Sequence, residues 1–135
     1  MTKEELMQSE PPVAALLGRE IVCVDNVHGG ATIRFTARPD FSNRHGTVQG
    51  GLQAAMLDSV TAVALYSVLP AELTGLTTQL NVSFLKPAKL GAFVATSKVV
   101  SRNERDAETS GELRDAEGTL VATATAKLRI VARRV

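Results

Sequence analysis

Residues 50–69 read GGLQAAMLDSVTAVALYSVL, and this stretch decides the fold because it predicts one long helix. Its apolar residues recur on nearly every side of that helix rather than along a single stripe. A helix that is apolar all round has to be buried on all sides. The stretch therefore predicts a central helix with the rest of the chain folded around it.

Predicted strands flank this helix on both sides. Before it, residues 20–27 and 31–38 are alternating, β-branched runs joined by Asn-Val-His-Gly-Gly, which indicates a hairpin. After it come four further runs separated by turn signals, which predict a four-stranded meander: 76–86, 92–102, 107–114 and 119–131. Two strands, a buried helix and four strands predict an α+β fold in which an antiparallel sheet wraps one helix.

The first strand after the helix alternates clearly. Its apolar positions, together with Thr78, are expected to face the helix, while Thr77 and the other intervening polar residues face away. The residues expected on the helix side are Leu76, Thr78, Leu80, Val82 and Phe84. At the other end of the chain, residues 12–18 predict a short helix that begins near a proline and stops at a glycine.

Length and composition exclude several classes of protein. A chain of 135 residues with 44% hydrophobic and 21% charged residues is typical of one globular domain, so we treat 1–135 as a single domain in which 1–18 form an N-terminal extension. The net charge of +1 is spread along the chain and provides no basic field for a nucleic acid. No run is apolar enough to span a bilayer, and no signal-type segment opens the chain, which predicts a cytoplasmic protein without a membrane partner.

The one cysteine and the histidines give little indication of a metal, phosphate or catalytic site. Cys23 has no second cysteine or histidine cluster near it in sequence, so we expect a small core residue and no metal site. His28 precedes two glycines but also precedes a strand, which indicates a hairpin turn. His45 is a lone loop histidine that could act as a base, although such a residue is more often solvated. Neither a nucleophile elbow, a phosphate loop nor a dinucleotide fingerprint is present.

Asp58 is the only charged residue between Gly46 and Ala71. Burying an unpaired carboxylate costs several kcal/mol unless partners or water reach it. Its neighbours three and four residues away on the helix are all small: Ala54, Ala55, Thr61 and Ala62. The space beside them could hold water, a partner subunit's backbone or a ligand, and a purely structural acid remains an alternative.

The glycine pair Gly50-Gly51 opens the helix. The first backbone N–H groups of a helix have no intrahelical partner and lie at the positive end of its dipole. Without side chains in the way, they could hold a developing oxyanion, with Asp58 about two turns further along the same cleft. A tight loop-to-helix junction is the structural alternative for these glycines.

These elements together resemble the hotdog-fold acyl-CoA thioesterases of the phenylacetate-pathway (PaaI) type over about residues 18–131. The family pattern is an Asn, then Gly-x-x-His-Gly-Gly, an acid eight residues after the first glycine of the pair, and a later strand followed by Pro and Gly. Here the pattern is matched by Asn43, Gly46-Thr-Val-Gln-Gly50-Gly51, Asp58 and the run from Gly75 to Gly91. The resemblance implies a hotdog fold, with an antiparallel sheet around a long central helix, and a homodimer with two active sites at its interface.

The resemblance also implies roles for individual residues. Asp58 would be the base or nucleophile, and Asn43 would hold the attacking water from across the interface. Gly50 would donate its N–H to the thioester carbonyl, and Thr77 matches a hydroxyl position that helps to place the water. Gln49 stands where the family has histidine, so it can donate a hydrogen bond but cannot become charged near neutral pH.

The substrate implied is a medium-chain or aromatic acyl-CoA, hydrolysed without any cofactor or metal. Gly51 and His45 lie beside the implied carbonyl site, and Arg102 is one of several basic residues at strand ends that could bind the diphosphate of coenzyme A. Two dimers are expected to form a homotetramer. The alternative is a non-catalytic hotdog protein that binds acyl-CoA, and an enoyl-CoA hydratase ranks last because no Asp-His pair follows Asp58.

Overall fold

The computed structural model describes residues 1–134 as two short N-terminal helices, a 3₁₀ turn (Pro39–Phe41), one long helix and six strands. The helices are α1 (Lys3–Gln8), α2 (Pro12–Leu16) and α3 (Gly50–Tyr66). The strands are β1 (Glu20–Asp25), β2 (Gly30–Ala37), β3 (Leu73–Phe84), β4 (Gly91–Arg102), β5 (Asp106–Asp115) and β6 (Leu120–Ala132). The predicted α+β hotdog arrangement is confirmed, because all six strands form one antiparallel sheet that packs on α3.

Helix α3 is buried along most of its length, as its apolar pattern predicts. Met56, Leu57, Val60 and Leu65 have no accessible surface and pack among side chains from the sheet. The helix ends at Tyr66, three residues before the predicted end. The hydroxyl of Ser67 lies 2.7 Å from the carbonyl oxygen of Ala64 and 3.0 Å from that of Asp25. A side-chain hydrogen bond to Ala64 thus takes the place of a helical backbone bond at this end.

The strand order is β1-β2-β4-β5-β6-β3, so the prediction of a four-stranded meander was wrong for its first strand. Strand β3 pairs with β6, and only β4, β5 and β6 follow one another as neighbours. The connection between β3 and β4 crosses beside the start of α3, where the buried Ala88 accepts a hydrogen bond from the Val48 N–H at 2.9 Å. Strand β3 consequently lies at one edge of the sheet.

The β1–β2 hairpin confirms that His28 belongs to a turn. The Asp25 carboxylate accepts hydrogen bonds from the N–H groups of His28 and Val27, and these bonds hold the pKa of Asp25 below its usual value. Gly29 has a φ of 87°, and a Cβ there would lie 2.5 Å from the Val99 side chain. Glycine is therefore required for the turn rather than for binding phosphate.

Cys23 is exposed, which corrects the prediction of a core residue. It lies on β1, the other edge of the sheet, where the pairing with β2 shifts by one residue between Ile21 and Cys23. Ile21 remains buried, whereas the shift leaves the Cys23 side chain at the surface. Alternation counted along the sequence does not anticipate such a bulge.

A second bulge lies in β3 and changes which face its residues occupy. Thr77 pairs with Leu128 and Gln79 with Lys127, so Thr78 is the extra residue. Because Leu128 is buried against the helix, Thr77 also faces the helix, which corrects the predicted outward orientation. Leu76 in turn is 55% exposed, not packed on α3 as its alternation suggested.

The N-terminal extension contains the predicted short helix α2 and an additional helix, α1. Helix α1 begins with a capping box, in which the Glu5 N–H donates to the Thr2 hydroxyl and the Thr2 N–H donates to the Glu5 carboxylate. Leu6 and Leu17 are buried in the main core, so the extension packs against the domain. Within residues 1–134, no helix is long and apolar enough to cross a membrane.

Candidate active site

Asp58 lies half-buried in a cleft of about 490 Å³, which we call the acid cleft. One stripe of α3 forms its floor and includes Ala55, Ala62 and Tyr66. Strand β3 forms one side, from Gly75 to Thr77, and the N-terminal extension forms the other. The small residues next to Asp58 leave open space beside the carboxylate, as their spacing predicts.

The Thr77 hydroxyl donates a hydrogen bond to Oδ1 of Asp58 at 2.9 Å. An ionised carboxylate can only accept, so the direction of this bond is fixed. It is the only hydrogen bond to the Asp58 side chain among residues 1–134, and the remaining lone pairs are available in the cleft. The β3 bulge makes this contact possible, because without it Thr77 would face away from the helix.

Replacing Thr77 by valine tests this contact. Valine has the same shape without the hydroxyl, and hydrogen bonds to charged groups contribute about 1.5–3 kcal/mol. We therefore expect turnover of a thioester, the substrate that the resemblance implies, to fall about tenfold. The matched control is Thr78→Val, which removes a hydroxyl that bonds only the Lys127 carbonyl oxygen at 3.1 Å. Equal kcat values for the two variants would mean that Thr77 does not assist Asp58.

A second cleft of about 340 Å³ lies at the start of α3, and we call it the helix-start cleft. Gly50, Asn43 and Gln53 line it together with the chain segment that follows β3. Gln49 is the N-cap residue, but its side chain makes no capping hydrogen bond. Within residues 1–134, the Gly50 N–H donates to no acceptor, so it is available to bind a carbonyl oxygen.

Asn43 organises the loop that leads to this cleft. Its Oδ1 accepts hydrogen bonds from the N–H groups of His45 at 2.9 Å and Thr47 at 3.2 Å, and its Nδ2 donates to the Thr47 hydroxyl at 3.0 Å. Asn43 therefore lines the helix-start cleft while its amide supports the loop. It does not line the acid cleft of the same chain.

The remaining candidates lie outside both clefts. Gln49, His45 and Gly51 are exposed around the start of α3, and a Cβ added at Gly51 would extend into open space. Arg102 is exposed at the end of β4, beside the turn to β5. The structure thus brings Asp58 and Thr77 together, places Asn43 and Gly50 in a second cleft, and leaves these four residues at the surface.

A single chain does not place the Gly50 N–H and the Asp58 carboxylate in one cleft, which corrects the expectation drawn from their spacing. Eight residues span about 12 Å along a helix and end about 80° further around its axis. Gly50 therefore opens into the helix-start cleft, while Asp58 opens into the acid cleft. One chain therefore holds these two groups in two separate clefts.

Arg19, Ser59 and Tyr66 also line the acid cleft, and none of them was among the site residues predicted from the sequence. Tyr66 shares the helix stripe of Asp58, and its hydroxyl donates to the Gly75 carbonyl oxygen at 3.0 Å. Helical spacing could have indicated Tyr66 and Ser59. Arg19 donates from Nη1 to the Ser59 hydroxyl at 3.1 Å across 40 residues of sequence. A local sequence pattern cannot predict a contact between residues so far apart in the chain.

Comparisons with known proteins identify similar sequences. A profile of the thioesterase superfamily matches residues 45–122, a segment that includes Gly50, Asp58 and Thr77. Human acyl-coenzyme A thioesterase 13 is 30% identical over 109 residues, which cover 79% of this chain and 76% of that protein.

Solved structures show the same architecture. A phenylacetic acid degradation-related protein from Ralstonia eutropha JMP134 is 36% identical, with a TM-score of 0.87 over 96% of this chain and 99% of the other. The PaaI protein of the E. coli phenylacetic acid degradation operon, at 22% identity, shares the fold with a TM-score of 0.85 over 96% of this chain and 91% of that one. By its matched segment and its fold, this chain belongs to the thioesterase superfamily, a family of enzymes that hydrolyse thioesters.

Proposed function

We propose that the protein hydrolyses acyl-CoA thioesters, with medium-chain or aromatic acyl groups, to the free carboxylic acid and coenzyme A. The observation that supports this most strongly is the Asp58 carboxylate in a largely apolar cleft, held by the Thr77 hydroxyl and otherwise free to act. The human relative named as an acyl-coenzyme A thioesterase supports the choice of substrate class.

In the proposed reaction, Asp58 acts on the thioester carbonyl carbon through water or directly. As a base, the carboxylate takes one proton from a water molecule whose oxygen attacks that carbon, giving a tetrahedral oxyanion. The oxyanion then collapses, the carbon–sulfur bond breaks, and the coenzyme A thiolate takes up the proton. As a nucleophile, the Asp58 carboxylate attacks the same carbon and expels the coenzyme A thiolate, which leaves an anhydride. Water then hydrolyses the anhydride to the free acid and the restored Asp58 carboxylate, and the thiolate takes up the proton that this step releases. Thr77 orients the carboxylate in both routes.

We propose that the complete site forms between two copies of the chain. Asp58 and Thr77 of one subunit then face the partner subunit's Gly50, whose N–H binds the oxyanion, and the partner's Asn43, which positions the water. Two observations support this arrangement. Gly50 and Asp58 lie in separate clefts of one chain, and β3 is an edge strand on which Leu76 and Phe84 are exposed. In such a homodimer the β3 edges of the two subunits cover each other, and each acid cleft meets a helix-start cleft of the other subunit.

Other features of the proposal rest on the resemblance. Gln49 would donate a hydrogen bond near the carbonyl or sulfur, Gly51 and His45 would line the entrance, and Arg102 would contact the diphosphate of coenzyme A. The reaction needs no cofactor, because a carboxylate, a hydroxyl and a backbone N–H supply its chemistry. A homotetramer and a cytoplasmic location stay predictions.

The experiment that tests the proposal is release of free thiol from a panel of acyl-CoA substrates, such as hexanoyl-, decanoyl-, benzoyl- and phenylacetyl-CoA. We expect turnover with at least one of them. Because Cys23 is exposed and would react with thiol reagents, the assay uses the Cys23→Ser protein as its background. Binding of acyl-CoA without release of thiol from any substrate would favour a binding protein and overturn the proposal.

A further inference from the structure

Arg19 is a buried charge at the wall of the acid cleft. It follows Gly18 at the entrance to β1, and its side chain is only 7% exposed. Arginine is almost never buried to this extent unless it is paired, because removing a guanidinium from water is expensive. Such a residue raises the question of what satisfies its charge.

The partners available within residues 1–134 satisfy Arg19 only in part. Nη1 donates to the Ser59 hydroxyl, which is neutral. Nε lies 3.7 Å from the nearest carboxylate oxygen, on Glu10, which is beyond hydrogen-bond distance, and this buried nitrogen has no other acceptor. Burial lowers the pKa of Arg19 and the Glu10 charge opposes that effect, but a guanidinium stays protonated in proteins.

The position of Arg19 gives this charge access to a ligand. Arg19 lines both the acid cleft and a smaller cavity of about 200 Å³, as do Pro11, Val63 and Tyr66. Arg133 lines the smaller cavity as well. Arg19 and Asp58 both line the acid cleft, so the positive charge and the carboxylate to which we assign the reaction border the same space.

We propose that Arg19 makes the acid cleft selective for acyl groups that carry a second carboxylate at their far end. This inference rests on the proposed acyl-CoA hydrolysis and specifies its substrate class. A planar carboxylate matches the N–H groups of a guanidinium and accepts two hydrogen bonds from them. It would supply the acceptor that the Nε group lacks and displace Glu10, whose side chain is 33% exposed and can turn to water.

The experiment compares carboxylated acyl-CoAs with neutral ones of equal chain length. Succinyl-, glutaryl-, adipyl- and suberyl-CoA are paired with butyryl-, pentanoyl-, hexanoyl- and octanoyl-CoA, and kcat/KM is measured for each. We expect the carboxylated member to be preferred at least tenfold at one length or more. Arg19→Gln should remove that preference by lowering kcat/KM at least tenfold more for the diacid than for its neutral partner, since a bidentate ion pair is lost only for the diacid.

Two further variants keep the test decisive. Glu10→Gln removes the competing carboxylate and should lower KM for the preferred carboxylated substrate without changing KM for its neutral partner. Arg34→Gln removes an exposed arginine that pairs with Glu20 on the surface, and it should change neither of these two KM values. If Arg19→Gln fails to fold, the substrate preference of the unmodified protein and the Glu10→Gln result still decide.

The outcomes separate this inference from the proposed function. Hydrolysis of neutral acyl-CoAs with carboxylated ones slower at every length would overturn the role of Arg19 and leave the thioesterase proposal intact. An equal loss on both substrate series in Arg19→Gln would mean that Arg19 only supports the fold. No hydrolysis of any acyl-CoA would contradict the proposed function itself.

Discussion

Replacing Asp58 by asparagine is expected to lower kcat for acyl-CoA hydrolysis by about 10³-fold, in the range found when a positioned base is removed. Asparagine keeps the size of the side chain and can still accept the Thr77 hydrogen bond through its amide oxygen. It cannot take a proton from water or form an anhydride with the substrate. The loss should therefore appear in kcat, while the affinity for acyl-CoA stays close to that of the unmodified protein.

Asp106→Asn is the matched control for this substitution. Asp106 is an exposed acid on β5 that pairs with Arg129 at 2.7 Å, and neither cleft includes it. We expect full activity from this variant, and thermal unfolding should confirm that both proteins are folded. Activity of Asp58→Asn within a few-fold of the control would rule out Asp58 as base or nucleophile.

Gly50→Pro is expected to lower kcat by about 10²-fold to 10³-fold, the usual cost of losing one oxyanion donor. Proline removes the backbone N–H that we assign to the carbonyl oxygen, and it is well tolerated at the first position of a helix. The preceding residue, Gln49, has φ −55° and ψ 132°, which suits a residue before proline. The substitution can thus delete the donor while preserving helix α3.

Gly50→Ala separates the loss of the N–H from the effect of added bulk. Alanine keeps the donor, and its Cβ would lie 3.2 Å from the Phe84 ring, which is half exposed and can shift. We expect Gly50→Ala to retain at least tenfold more activity than Gly50→Pro. If both variants lose activity equally, space rather than hydrogen bonding at Gly50 controls the reaction.

The central helix, with two strands before it and four after it in the chain, could be predicted because these elements depend on strong local patterns. Apolar residues on every side of 50–69 have no stable arrangement except burial, and the strands before and after this helix can cover it. Asp58 was identifiable for the same reason, as the one charge in that stretch. Its small neighbours indicated open space, and the acid cleft confirms it.

Features that depend on a bulge or on distant contacts could not be predicted in the same way. Thr77 faces Asp58 because Thr78 is an extra residue in β3, and strict alternation assigns Thr77 to the opposite face. The pairing of β3 with β6 depends on how the segment after β3 crosses α3, which turn residues do not specify. Arg19 meets Ser59 only through the packing of the N-terminal extension.

The central claim is that one active site needs Asp58 from one subunit and Gly50 from the other. The most direct measurement mixes equal amounts of Asp58→Asn and Gly50→Pro proteins, unfolds and refolds them together, and follows acyl-CoA hydrolysis. In a two-fold dimer, half of the molecules are mixed and half of their sites carry both defects, so about a quarter of the original activity should return. Activity no higher than the mean of the two separate variants, in a sample shown to contain mixed dimers, would contradict the shared site.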